Sequence, residues 1–119
     1  MKIEDVFSLY KDLPEYAGID LDSVKRVSLF GDYPINVAAT RGSVREMSAL
    51  FISGADLNTP GEHGYTPLHN AVEQGNVDAV RWLLENGADK SLLNSAGETP
   101  ADLANILCET LIGSILNSC

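Results

Sequence analysis

The chain repeats itself with a period of 33 residues. Gly31, Gly64 and Gly97 each open a short motif: Gly31-Asp32-Tyr33-Pro34-Ile35-Asn36, Gly64-Tyr65-Thr66-Pro67-Leu68-His69 and Gly97-Glu98-Thr99-Pro100-Ala101-Asp102. Ala38, Ala71 and Ala104 follow at the same interval, Gly42 pairs with Gly75, and Gly54-Ala55-Asp56 with Gly87-Ala88-Asp89. A fixed period of this length constrains the fold more than composition does. Each unit is too small to bury an apolar face alone, so stability must come from stacking neighbours into a solenoid.

Each part of the unit has a local cause. Thr66 reads as a helix N-cap and Pro67 as the first helical residue, where its missing N–H costs nothing. His69 is placed to hydrogen-bond back to the Thr66 turn and tie neighbouring loops together, and Asp102 to play an analogous part after Thr99-Pro100. Gly75 ends the first helix of its unit, and Gly54 and Gly87 close the second helices. Asn76 is expected to cap the second helix, as Ser43 does one unit earlier, with Ser43-Val44-Arg45-Glu46 spaced as a capping box. Met47, Leu50 and Phe51 match Val80, Leu83 and Leu84, and their helical spacing predicts one buried stripe. The small Ala38, Ala71 and Ala104 let the first helices of successive units pack closely.

These motifs resemble the ankyrin-repeat family, whose unit is a β-turn, two antiparallel helices and a returning loop. The middle unit carries the likeness best, from Gly64-Tyr65-Thr66-Pro67-Leu68-His69-Asn70-Ala71 to Trp82-Leu83-Leu84-Glu85-Asn86-Gly87-Ala88-Asp89. The first has Tyr33 for Thr and Asn36 for His, and the third keeps Thr99-Pro100 and then drifts. The resemblance covers roughly residues 29–117 and points to a small stand-alone, bacterial-type domain of this family. It implies an all-α solenoid of stacked helix-turn-helix units with β-hairpin fingers. Residues 1–28 would form an N-terminal capping helix and a long first finger. Residues 29–119 would hold the repeats (about 29–61, 62–94 and 95–119), cooperative with the cap as one domain.

Both ends depart from the period. Ile3, Val6, Phe7, Tyr10 and Leu13 make a helical stripe that Pro14 is expected to end. Gly18 and Gly31 are 13 apart, whereas Gly54–Gly64 and Gly87–Gly97 span 10, so the first finger, around Ser23–Phe30, is longer. At the other end Ile112, Ile115 and Leu116 repeat the stripe with one residue missing. Cys108 stands where a helix-separating glycine would be, and is expected to be a buried small hydrophobe. The last helix either hides Leu111, Ile112, Ile115 and Leu116 together or leaves apolar surface for a partner. A monomer is expected, with a dimer through that helix as the alternative.

The net charge is −9, from 17 acidic and 8 basic residues. Nucleic acid and anionic membranes require a cationic face and are not expected as partners. No apolar run is long enough to span a bilayer and the start is no signal peptide, so cytoplasmic residence is the expectation. Cys108 and Cys119 then read as free thiols. His63 and His69 lack the four-ligand company of a zinc site, and Thr59-Pro60-Gly61-Glu62-His63-Gly64 lacks the lysine of a phosphate loop. No nucleophile, base and oxyanion donor fall at readable spacing. No catalytic residue, metal or cofactor is expected, and no enzyme.

The resemblance implies that the concave face binds another protein. Family-variable positions fall on Leu29, Phe30 and Asp32, on Glu62, His63 and Tyr65, on Ser95, Ala96 and Glu98, and, at the inner helix ends, on Thr40, Arg41, Glu73, Gln74, Ile106 and Leu107. From these, Phe30, Asp32, Arg41, Glu62, His63, Tyr65, Glu73, Gln74 and Glu98 are the expected partner-binding residues. Phe30 and Tyr65 would serve as aromatic anchors, although Phe30 could instead pack into the base of its finger. Asp32, Glu62, Glu73 and Glu98 surround them with negative charge, opposed only by Arg41, and suit a partner with a basic surface. The alternatives are a cytoplasmic immunity or inhibitor protein neutralising a toxin or enzyme, and an accessory subunit of an enzyme.

Overall fold

Seven α-helices follow the repeat in a computed structural model that describes residues 1–117. They are α1 (Ile3–Tyr10), α2 (Pro34–Arg41), α3 (Val44–Ile52), α4 (Pro67–Glu73), α5 (Val77–Glu85), α6 (Pro100–Ile106) and α7 (Thr110–Asn117). Cys119 lies outside the described residues. Helices α2, α4 and α6 stack as an inner layer, and α3, α5 and α7 back them as an outer layer. Helix α1 packs against α3 and covers the first unit. Ala38, Ala71 and Ala104 are fully buried in the inner layer, where a larger side chain would push the helices apart. Met47, Leu50, Val80, Leu83, Ile112 and Leu116 fill the space between layers.

The inner helices begin alike. Tyr33, Thr66 and Thr99 are extended N-caps followed by proline at the first helical position. The residue two beyond each proline returns a bond to the cap: Asn36 Oδ1 accepts from Tyr33 N–H at 3.0 Å, His69 Nδ1 from Thr66 N–H at 3.1 Å, and Asp102 Oδ2 from Thr99 N–H at 3.0 Å. The fingers that precede them keep the same register. Ser28 N–H donates to Asp32 O at 2.8 Å, Gly61 to Tyr65 at 2.8 Å and Asn94 to Glu98 at 2.9 Å. Each finger is therefore a hydrogen-bonded turn, and no strand is formed among the described residues.

Neighbouring units are joined by the far sides of the same residues. Asn36 Nδ2 donates to Thr59 O within its own unit and to Tyr65 O and Asn70 Oδ1 in the second. His69 Nε2 meets Glu98 O at 2.8 Å, reaching from the second into the third. An N–H can only donate and a carbonyl only accept, so the neutral His69 ring carries its proton on Nε2. Burial holds its pKa below the ordinary value and keeps this tautomer intact.

The longer first finger is tied down by Tyr16, whose hydroxyl donates to Arg26 O and Asp32 O, both at 3.2 Å. The cap is fastened by a polar cluster in which Tyr10 and Glu46 are buried and Arg41 is exposed. Tyr10 Oη donates to Glu46 Oε1, and the Arg41 guanidinium lies 5.5 Å above the Tyr10 ring while its Nε donates to the same carboxylate at 2.9 Å. Burial and the Glu46 hydrogen bond both push the Tyr10 phenol well above its usual range, keeping it a donor.

Several expectations change in three dimensions. Helix α1 stops at Tyr10 rather than running to Pro14, because the residue before a proline is driven to extended backbone and Leu13 adopts it (φ −71, ψ 143). Ser43 does cap α3, accepting from Glu46 N–H at 3.2 Å, yet the Glu46 side chain turns to Tyr10 and Arg41. Asn76 makes no side-chain bond to its own helix. Its amide donates to Ala39 O and Thr40 O, satisfying carbonyls at the end of α2. Phe51 leaves the buried stripe and meets Trp82 edge-on on the outer surface, at 5.7 Å. Cys108 does occupy the left-handed position (φ 59) that Gly42 and Gly75 hold in the earlier units, but it is exposed, not buried. Helix α7 buries Ile112 and Leu116 and leaves Leu111 on the surface.

Candidate functional site

Stacking three turns against three inner helices leaves a groove of about 570 Å³ between the fingers and the helix ends. Its fingertip wall carries Glu62 and His63 from the second unit and Ser95 and Ala96 from the third. Its helix wall carries Thr40 and Glu73, with Asp32, Tyr65 and Glu98 at the junction between fingers and helices. The register explains this convergence: Asp32, Tyr65 and Glu98 each accept the turn bond of their finger one residue before the N-cap. Periodicity thus turns three distant positions into one row.

Backbone spacing makes the groove possible. Gly64 adopts φ 72, and a Cβ there would come within 2.8 Å of Ser95 N, so only glycine lets the second and third fingers touch. Ser95 N–H donates to His63 O at 3.0 Å across that contact. Gly61 is equally confined, since a Cβ would collide with the Asp32 carboxylate and the Asn36 amide.

The charge of the groove is one-sided. Asp32, Glu62, Glu73 and Glu98 line it, and no lysine or arginine does. Each carboxylate is held without being neutralised by lysine or arginine among the described residues. Asp32 Oδ1 accepts from Glu62 N–H at 3.0 Å, and Asn94 Nδ2 donates to Glu98 Oε1 at 2.8 Å. Glu62 Oε1 sits 3.5 Å from the His63 ring. Burial raises the Asp32 pKa, opposed by the Glu62 N–H and reinforced by the Glu62 charge. Burial, then the Glu73 carboxylate, raises that of the Tyr65 phenol. A cation entering the groove would relieve both.

Of the nine residues expected to bind a partner, Asp32, Glu62, His63, Tyr65, Glu73 and Glu98 line this groove together. The other three do not. Phe30 is 56% exposed at its fingertip, so it does not pack into the base of the finger. Gln74 is exposed at the C-cap of α4. Arg41 is bonded to Glu46 and stacked on Tyr10, so its charge is paired within the protein although its side chain stays partly exposed. Tyr65 is only partly exposed, tilted against His69 at 5.4 Å. Sequence reasoning missed Asn70 and Asn94, which also line the groove. Asn94 Oδ1 accepts from Ala96 and Glu98 N–H, an asparagine-built turn whose signal was its place at the start of the finger.

Among the described residues no group of three or more His, Cys, Asp and Glu could hold a metal ion, and no helix is long and apolar enough to cross a membrane.

Residues 52–104 match the family described as ankyrin repeats (many copies). Ankyrin repeat domain-containing protein 40 of Homo sapiens is 41% identical over 69 residues, covering 57% of this chain and 19% of that protein. Protein phosphatase 1 regulatory subunit 27 of Homo sapiens is 36% identical over 84 residues, covering 66% of this chain and 54% of that protein. The 2-5A-dependent ribonuclease of Mus musculus is 39% identical over 83 residues, covering 69% of this chain and 11% of that enzyme. The chain spans about half the length of the second relative and a fifth or less of the others.

Proposed function

Since this chain is an ankyrin-repeat protein, we propose that it is a protein-interaction module whose concave groove holds a protein partner with a basic surface. The observation that carries this reading is the collection of four carboxylates from three fingers and one helix end into a single groove with no lysine or arginine in its walls. Opposite charge steers encounter and fixes orientation, and desolvated carboxylates discriminate against acidic partners. Tyr65, half-buried against His69, supplies the apolar contact that charge alone lacks.

A second reading is that the partner is an enzyme and this chain its accessory subunit. It is favoured by relatives named as regulatory subunits of protein phosphatase 1, the human subunit 27 and the mouse subunit 12A. A partner that proves toxic by itself, and harmless when co-expressed with this chain, would instead mark an inhibitor.

The test is affinity capture from the host with the wild-type chain beside the Tyr65→Ala, Glu73→Lys double variant. A partner held by the first and released by the second, with the thermal midpoint unchanged, supports the concave face. Equal capture by both would move the interface elsewhere and end this reading.

A further inference from the structure

The groove continues beyond its acidic middle, and both extensions are apolar. The turn bonds recur at Ser28–Asp32, Gly61–Tyr65 and Asn94–Glu98, so the register is unbroken from the first finger to the third. Leu29 and Phe30 therefore stand in the fingertip row that Glu62–His63 and Ser95–Ala96 continue. On the opposite wall Thr40, Glu73 and Ile106 occupy one row across α2, α4 and α6, with Arg41, Gln74 and Leu107 beside it. Leu29 and Phe30 are 62% and 56% exposed, and Ile106 and Leu107 are 62% and 42% exposed. Large apolar side chains thus mark two diagonally opposite corners, with the carboxylates between them.

Resting on the reading above, we propose that this surface takes a linear segment of the partner in which central Lys or Arg residues are flanked on both sides by large apolar residues. The segment crosses from the Leu29–Phe30 corner to the Ile106–Leu107 corner, its cations over Asp32, Glu62, Glu73 and Glu98. Charge excludes a second copy of this chain as the occupant, since two faces of the same acidity would repel in a molecule of net charge −9. Side chains do the reading: the fingers' own bonds already use the N–H groups of Ser28, Leu29, Gly61, Asn94 and Ser95, leaving little ladder for strand addition. Stacked helices lie about 10 Å apart, so two steps along the groove span about 20 Å, the reach of about six extended residues.

The experiment displays random peptides of roughly 12 residues, about twice that reach, and selects them on the full chain. The expected result is enrichment of Lys or Arg bracketed by Leu, Ile or Phe. A synthetic copy of the leading peptide should weaken about tenfold or more on Glu73→Lys, and severalfold on Ile106→Ser with Leu107→Ser. These positions are exposed, and unchanged thermal midpoints will show that the variants fold. Enriched peptides that are cationic without apolar flanks, or that bind the Ile106→Ser, Leu107→Ser protein as tightly as wild type, overturn the segment but leave the acidic groove intact. No enrichment, while a host partner is still lost on Glu73→Lys, overturns it in favour of a folded surface. Peptides indifferent to both Glu73→Lys and Tyr65→Ala bring down the groove reading as well.

Discussion

The second and third units share a backbone and differ in what they offer to a neighbour. In the second, His69 accepts from its own N-cap and donates onward to Glu98 O. In the third, Asp102 accepts from Thr99 and has nothing to donate, and no unit follows it among the described residues. The packing face changes in the same sense. Leu68 and Val72, buried in the second unit, become Ala101 and the exposed Asn105 in the third. From the second unit to the third, a two-sided hydrogen-bonding group gives way to a one-sided one, and large apolar groups to small or polar ones.

Breaking the interior of the second unit should do the most damage. Leu83 is fully buried between layers, and Leu83→Ala should cost about 2–5 kcal/mol by denaturant titration. Leu111→Ala, at a surface position of α7, should cost under about 0.5 kcal/mol. Similar losses at the two sites would mean that α7 carries as much of the core as α5.

The two capping groups should differ next. His69→Ala strands a buried N–H at Thr66 and a carbonyl at Glu98, for a loss of about 1–3 kcal/mol. Asp102→Ala removes one bond at an exposed cap and should cost about 0.5–1 kcal/mol. If the two are equal, the onward bond to Glu98 contributes nothing.

Acid should weaken the same joint by less than deleting it. The folded pKa of His69 lies below its unfolded value near 6.5, so the unfolded chain binds the proton first. Stability from this group is thus present above about pH 6.5 and lost as pH falls below it. Asp32 and Glu15, with raised folded values, act in the opposite direction in the carboxylate range. The thermal midpoint should fall between pH 7 and pH 5.5 in the wild type, and the fall should shrink in His69→Asn, which copies the first unit's Asn36. An unchanged slope would assign the titration elsewhere.

The smallest effect on stability, and the sharpest test of the difference between the two units, comes from Ala101→Leu with Asn105→Val. Restoring the second unit's face to the third should leave the midpoint within a few degrees of wild type. It should also produce concentration-dependent self-association by light scattering, because large apolar side chains then replace a half-buried alanine and an exposed asparagine. A strictly monomeric variant would show that polarity at these two positions is not what keeps the third unit's face from associating.

Much of this was legible in the residues themselves. The N-caps, the prolines behind them, the left-handed turn at Cys108 and the cap-binding roles of His69 and Asp102 follow from spacings of three or four residues. Six groove residues were legible because a constant period places equal positions in one row. The pairing of Arg41 was not legible because its partners, Glu46 and Tyr10, belong to another helix and to the cap. Asn76 was misjudged for the same reason, its acceptors lying 36 and 37 residues back in α2.

The amino-acid order by itself determined the period, the starts of the inner helices and the register, because helix caps and tight turns are satisfied by atoms a few bonds away. Only the stacked tertiary structure decided which carboxylates share a groove, which arginine is spent on the cap and which apolar residues stay in water. Those outcomes depend on side-chain direction and on the offset between neighbouring helices, and both arise only when separate units pack against one another.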